Sequence, residues 1–396
     1  MSSAVAITGL GCLCAAGMTL DSAYAGMLRG ERNPLPPVAF TTSHAKSYPV
    51  FEILEPLPAP ATDFKIMRTT RLAISAAMEA LADAGLKTGD LDGLKVGVCI
   101  GTTVGCTMNI EEFYRDFHNG EDPSMTQIER YLHSNPAAAI ACHYQLDGPL
   151  QSIGNACTSG ADAIGVGAAW IRNGLCDIAL VGGADELCRT TYNGFSSLMI
   201  NDPNPCRPFD ARRKGLNLGE GAGILVLESR KSVLRRKKKE RGFVLGYGSA
   251  TDAHHLTAPH PDGVGLRRAV DEALLIGGLA AADLAFVNAH GTGTPDNDRT
   301  ESRVLADRFG STPFISTKCY TGHTLGAAGA IEAAISLVCM ERGQLPANLG
   351  FSNPDPELLG RPAGVVTPVT ARFALSQSIA FGGNNAALLL GLEIPQ

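Results

Sequence analysis

Covalent catalysis in this 396-residue chain would fall to one cysteine, two histidines, a lysine and a glutamate. Cys157 stands in GNACTSGADA, among small residues and directly ahead of an amphipathic small-residue stretch, 158–174. A helix starting there offers the sulfur unpaired N–H groups and about half a positive charge, which favours thiolate over thiol. The same neighbours also suit a buried cysteine that does no chemistry. His290 ends an apolar run in VNAHGTGTPDND, ahead of a Gly/Thr loop. Strand-end loops collect functional groups in α/β proteins, although a structural hydrogen-bonder also fits that place. Lys318, His323 and Glu332 share STKCYTGHTLGAAGAIEAA. Lys318 and His323 are close enough in sequence to enter one cleft. Glu332, about two and a half helical turns after His323, faces a different side. It is the candidate counter-charge that a lysine in an apolar pocket needs. Phe381 precedes Gly382-Gly383 in SIAFGGNNAALLL. Glycines there let backbone approach a ligand and let a neighbouring N–H serve an oxyanion, or they simply turn the chain into its last strand.

The elements that must position these groups alternate along the chain. Short apolar runs that end in glycine are expected as strands at 4–11, 95–103, 177–185, 221–229, 242–250, 284–292 and 385–393. Helical patterns such as RLAISAAMEALADAGL (71–86), with apolar residues at i, i+3 and i+4, lie between them. Alternation of this kind indicates an α/β fold with helices covering a buried sheet. Residues 34–62, broken by PLPPV and PLPAPAT, are expected to be irregular.

The chain also repeats itself. CIGTTVG (99–105) is echoed by AHGTGTP (289–295), CTSGADAIG (157–165) by HTLGAAGAI (323–331), and GEGAGILVLE (219–228) by GGNNAALLLG (382–391). Matches in the same order predict two similar α/β halves, 1–241 and 242–396. They also set Cys157 and His323 at equivalent helix starts that could converge.

Composition narrows the class. Apolar residues at 45% and charged residues at 18% suit a soluble globular protein with a sizeable core. A net charge of −6 gives no support to nucleic-acid binding. The 11 cysteines form no paired framework or metal-ligand spacing, which predicts a reducing, cytoplasmic setting and no metal. The N-terminus MSSAVAITGLG lacks the pattern of a signal peptide, and no run of about 18 apolar residues could span a membrane.

Taken together, ACTSG, GGAD, CRPFDARRKGLNLGEGAG, NAHGTGTPDND, TKCYTGHTLGAAGAIE and AFGGNN make nearly the whole chain resemble the β-ketoacyl-acyl-carrier-protein synthases. The resemblance is to the elongating Cys-His-His type of the thiolase superfamily. It implies the thiolase fold, two similar α/β halves in an α-β-α-β-α layering. It implies decarboxylative Claisen condensation of an acyl thioester on Cys157 with malonyl carrier protein, giving 3-ketoacyl carrier protein and carbon dioxide. His290 and His323 would stabilise the enolate, Lys318 and Glu332 would support them, and Thr292 and Thr294 would hold the pantetheine amides. Backbone N–H groups of Cys157 and Phe381 would form the oxyanion hole, with Phe381 also the gate.

No cofactor is implied beyond the phosphopantetheine that carries the substrates. The implied partners are acyl carrier protein and a second subunit, in a homodimer or a heterodimer with a related synthase. Lys65, Arg68, Arg71 and Arg207 resemble family docking positions for the acidic carrier. The basic run RRKKKERG (235–242) is expected to be a solvated helix end.

Three departures bear on substrate: Asn155 where Thr or Ser is common, Leu216 where an aromatic is usual, and GGNN in place of GGTN. They leave open fatty acid synthesis or a polyene or polyketide pathway. A chain-length-factor-like binding subunit is the non-catalytic alternative, and Cys157 argues against it.

Overall fold

The computed structural model describes residues 4–57, 66–105 and 110–395. Ten strands form one mixed sheet. They are β1 (Val5–Cys14), β2 (Val96–Gly101), β3 (Leu150–Ile153), β4 (Ile178–Asp185) and β5 (Gly221–Glu228). The rest are β6 (Gly242–Thr251), β7 (Leu284–Asn288), β8 (Phe314–Ile315), β9 (Phe373–Ile379) and β10 (Asn384–Gly391). The order is β3-β2-β4-β5-β1-β6-β10-β9-β7-β8. Each set of five therefore runs third, second, fourth, fifth, first, with the first three of that order parallel and the others antiparallel. β1 and β6 join the sets through the pairs Val5–Val244 to Ile7–Gly242.

Helices form three layers around this sheet. On one outer face α1 (Arg68–Ala84) packs on β1 and β5, with α2 (Pro136–Tyr144) beside it. On the other, α4 (Val264–Gly277) packs on β6 and β10, with α5 (Pro295–Phe309) beyond. Between the two sets lie α3 (Ser159–Arg172) and α6 (Ala328–Arg342), in contact with each other. Their surroundings explain their composition. α6 is buried from Ala328 to Met340, as a helix enclosed on all sides must be. A Cβ on Gly160 would stand 2.6 Å from Gly326 O, so only glycine allows the two helix starts to meet.

This is the layered α/β arrangement that the pattern predicts, and all seven expected strands are present. Three strands of this ten-stranded sheet went unrecognised. β3 lies at the sheet edge and is half exposed, β8 has two residues, and β9 carries Ser376, Gln377 and Ser378 in its middle.

The equivalence of Cys157 and His323 is corrected. A single 3₁₀ turn precedes each central helix, Ala156–Thr158 before α3 and Leu325–Ala327 before α6. Each turn opens with a left-handed residue, Ala156 at φ 49 and Leu325 at φ 51. On that alignment Cys157 corresponds to Gly326, three positions beyond His323. Runs of Gly and Ala look alike after a slip of about one turn, and the letters alone chose the wrong slip.

Residues 34–57 are irregular apart from bridges such as Leu35–Val50. In the basic run, Arg236 and Lys238 donate to Ala84 O and Asp83 O at 2.6 and 2.7 Å, capping the C-terminus of α1.

Candidate active site

Cys157 sits in the 3₁₀ turn ahead of α3, at the first turn of which the free N–H groups gather. The left-handed Ala156 before it is a strained conformation for a residue with a side chain. His323 is delivered by the loop ahead of α6. Its N–H donates to Asn217 O at 2.8 Å and its carbonyl accepts from Gly219 N–H at 3.0 Å. The GLNLG segment thereby fixes the backbone of His323 from the other half.

The two meet directly, with His323 Nε2 at 3.1 Å from Cys157 Sγ. The other ring nitrogen, Nδ1, accepts from Leu325 N–H at 3.3 Å. An accepting Nδ1 places the proton of a neutral imidazole on Nε2, so His323 turns an N–H toward the sulfur.

His290 leaves the end of β7 on a backbone tied to α5. Its N–H and that of Gly291 donate to the two oxygens of Glu301 at 2.6 and 2.7 Å. Its ring stands 5.2 Å from that of His323, edge to face. Lys318 Nζ lies 3.2 Å from His290 Nδ1 and 2.5 Å from Glu332 Oε1. An ammonium only donates, so His290 Nδ1 is an acceptor and its Nε2 also carries the proton. Lys318 and Glu332 are each about 1% exposed, a buried pair rather than a surface one.

The electrostatics follow from burial. Burial first, then the Lys318 charge, holds both imidazoles well below the usual histidine range, with His323 adding to the effect on His290. Both are therefore neutral donors at physiological pH. Burial pushes the Cys157 thiol up to about 12, against the lowering pull of Lys318 and of a hydrogen bond from Phe381 N–H. The expected thiolate preference at the helix start thus meets a desolvation that opposes it. Burial likewise raises Glu332 to about 6, with Lys318 pulling the other way.

The cavity over these groups is lined by Phe195, Leu198, Ile200, Leu216, Ile379 and Phe381 on its apolar side and by Thr292 and Thr294 on the other. The Phe195 and Phe381 rings stack with centroids 5.7 Å apart. The Thr292 and Thr294 hydroxyls lie 2.9 Å from each other. The structure thus brings Cys157, His290, His323, Phe381, Thr292 and Thr294 around one cavity, with Lys318 and Glu332 behind His290 and outside the cavity wall.

The docking candidates lie apart from it. Arg68 is held by the fully buried Glu220 at 2.6 Å and by Ile53 O at 2.8 Å. Arg71 donates to Leu57 O at 3.2 Å, and Arg207 is 3.8 Å from Asp202 with 19% of its side chain exposed. Lys65 lies outside the described residues.

Two groups that sequence reasoning passed over complete the site. Glu301 lies seven residues after Thr294 and also accepts from Gln377 at 2.7 Å. Asp185, the acid of GGAD, accepts from Thr102 Oγ1, Thr103 N–H and Gly326 N–H at 2.6, 2.7 and 2.7 Å. It ties the loop after β2 to the turn that follows His323. The only signal for either was an acidic residue inside an otherwise small or polar motif.

Comparison with known proteins agrees with this geometry. Residues 57–232 match the family model for the β-ketoacyl synthase N-terminal domain, and residues 241–352 that for the C-terminal domain. The chain is 33% identical to the 3-oxoacyl-[acyl-carrier-protein] synthase 2 of Synechocystis sp., covering 97% of each chain. It is 32% identical to the tetracenomycin polyketide synthase ketoacyl synthase alpha subunit of Streptomyces glaucescens, over 86% of this chain and 84% of that one. It superposes on the solved structure of the ishigamide ketosynthase/chain length factor with a TM-score of 0.92, at 32% identity over 99% of both chains.

Proposed function

The chain belongs to the β-ketoacyl synthase family, and from that premise we propose that it is a condensing acyltransferase that works on carrier-protein thioesters. The observation that carries this reading is the 3.1 Å contact of His323 Nε2 with Cys157 Sγ, with His290 beside it and both histidines neutral.

In the first half-reaction the Cys157 sulfur attacks the acyl thioester carbonyl. Its proton leaves with the carrier thiol, and the acyl group stays on Cys157. The Phe381 N–H and the N–H of Cys157 stabilise the oxyanion of the tetrahedral intermediate. In the second, malonyl carrier protein occupies the cavity with its pantetheine amides on Thr292 and Thr294. Its C–CO₂ bond breaks, and the electron pair passes into an enolate whose oxygen accepts from His290 and His323 Nε2–H. The carbanion attacks the acyl carbonyl, the new C–C bond forms, the C–S bond to Cys157 breaks, and the released Cys157 thiolate takes up a proton from solvent to restore the thiol. Lys318, paired with Glu332, keeps His290 in the tautomer that donates. Decarboxylation supplies the carbanion, so the scheme needs neither strong base nor a cofactor beyond the pantetheine arm.

The apolar lining from Phe195 to Leu216 supports an aliphatic or polyene acyl chain. Leu216, smaller than an aromatic, widens that wall. Acyl carrier protein is the partner this chemistry requires. The relatives named as a 3-oxoacyl-[acyl-carrier-protein] synthase and as a polyketide synthase subunit support both pathways, and the ketosynthase/chain length factor likeness supports a dimer with a related subunit. The structure supports a boundary between the halves near residue 242, where β6 begins. The ten cysteines among the described residues are all free and no described helix is long and apolar enough to cross a membrane, which supports a cytoplasmic setting.

The test is product formation. Incubation with acyl and malonyl carrier proteins should give 3-ketoacyl carrier protein by intact mass with one carbon dioxide released per product. Its absence with every acyl chain, alone or with a related subunit, would defeat the reading.

A further inference from the structure

Asn155 and Asn384 carry two of the departures from the commoner motif, and they flank the reacting groups. Asn155 stands two residues before Cys157, and Asn384 directly follows Phe381-Gly382-Gly383. They lie 229 positions apart in sequence, yet Asn384 Nδ2 donates to Asn155 Oδ1 at 2.6 Å.

What lies behind Asn155 fixes the direction of that bond. Asn155 Nδ2 donates to Asp162 Oδ2 at 2.6 Å. Thr158 Oγ1 donates to the same oxygen at 2.9 Å, and the Tyr247 hydroxyl to Asp162 Oδ1 at 2.7 Å. With these donors gathered on it, Asp162 is the acceptor of the group. Asn155 must therefore turn its NH₂ inward and its oxygen toward Asn384.

Asn384 in turn closes the base of the Phe381 turn. Ala380 N–H donates to Asn384 O at 2.7 Å and Gly383 N–H to Ala380 O at 3.2 Å. Gly382 and Gly383 take φ 84 and 80, values open to glycine, and these bend the chain between the two ends. This turn aims Phe381 N–H at Cys157 and lays the Phe381 ring on Phe195.

Resting on the reading of Cys157 as the acyl acceptor, we infer that Asn155 and Asn384 form a clasp that positions the Phe381 turn against the nucleophile turn during acyl loading. Both are positioning residues, since neither lines the cavity. Loading needs the Phe381 N–H at the carbonyl oxygen. Decarboxylation depends on His290 and His323, which Glu301, Lys318 and Leu325 hold separately. The clasp therefore acts on loading and not on carbon dioxide release.

The experiment is a double-mutant cycle on the full chain, with Asn155→Ala, Asn384→Ala and both together. Asn384→Asp is added because it keeps the shape but sets a carboxylate oxygen against Asn155 Oδ1. Octanoyl transfer from carrier protein to Cys157 is followed by intact mass in a single turnover. Carbon dioxide release is then timed after malonyl carrier protein meets preloaded enzyme. Each alanine variant should load about tenfold more slowly, with the double no slower than the slower single. Asn384→Asp should load at least as slowly as Asn384→Ala. Carbon dioxide release should stay within about twofold of wild type. The clasp is overturned if the two effects multiply, if Asn384→Asp loads like wild type, or if both half-reactions fall together. A wild-type protein that takes no acyl group of any chain length, alone or with a related subunit, overturns the condensing reading and the clasp with it. Loading by wild type with unaffected variants overturns the clasp alone.

Discussion

His323 faces Cys157 as a hydrogen-bond donor, because Leu325 N–H at 3.3 Å occupies its Nδ1 while Nε2 lies 3.1 Å from the sulfur. A donor at that point stabilises negative charge and does not take the thiol proton. His323→Ala should therefore keep measurable acyl transfer to Cys157 while carbon dioxide release falls about 10²–10³-fold, the loss typical of one oxyanion donor. Separate timing of the two half-reactions checks it. Loss of transfer with carbon dioxide release intact would make His323 a base.

Lys318 contributes through its charge. The neutral histidines are the active form, and the nearby ammonium helps hold them neutral. Carbon dioxide release by the wild type should show no inflection near pH 6.5, where an ordinary histidine titrates. In Lys318→Ala the cation is gone and both histidines titrate higher, while burial, the larger cause, still holds them low, so activity should fall toward the acid end of the range. Rates between pH 5.5 and 8 for both proteins decide it.

Glu301 predicts a pH-dependent stability. Burial raises it to about 7, above the 4.5 of a free glutamate. The folded state thus holds a proton that the unfolded chain has released between those values. Its stabilising contribution is complete below about pH 4.5 and is lost as pH rises to about 7. Glu301→Gln does not titrate, so the melting-temperature gap between wild type and variant should narrow over that interval. Glu301→Ala leaves the N–H groups of His290 and Gly291 without their acceptor and should cost about 3 kcal/mol in urea unfolding.

Gly160 sets how closely the halves approach. A methyl group there meets Gly326 O at 2.6 Å, and that backbone is itself pinned by Asp185 at 2.7 Å. Gly160→Ala should cost about 1–3 kcal/mol in denaturant unfolding and slow acyl loading, because the turn that carries Cys157 is displaced.

The groups that meet at the cavity were legible as candidates because each stands beside small residues that let backbone approach, but each such place also suits a structural residue, and their roles came from the resemblance. Lys318 with Glu332 was legible because a buried cation demands an anion. What supports them was not. Glu301, Asp185 and Leu325 act on or through backbone N–H groups, which have no letter in the sequence. The Asn155–Asn384 contact joins residues whose departures from the family pattern were each visible but whose meeting depends on the fold. In the architecture, β3 and β9 escaped because an exposed edge and a polar strand centre hide the apolar run. The Gly/Ala periodicity at the helix starts misplaced His323 against Cys157 by three residues.

Acyl transfer to Cys157 itself is the most direct test. Wild type and Cys157→Ala would be mixed with octanoyl carrier protein, digested and mapped by peptide mass. An octanoyl thioester is expected on the Cys157 peptide, absent from the variant and discharged when malonyl carrier protein is added. An acyl group on another residue, or an adduct that malonyl carrier protein does not discharge, would contradict it.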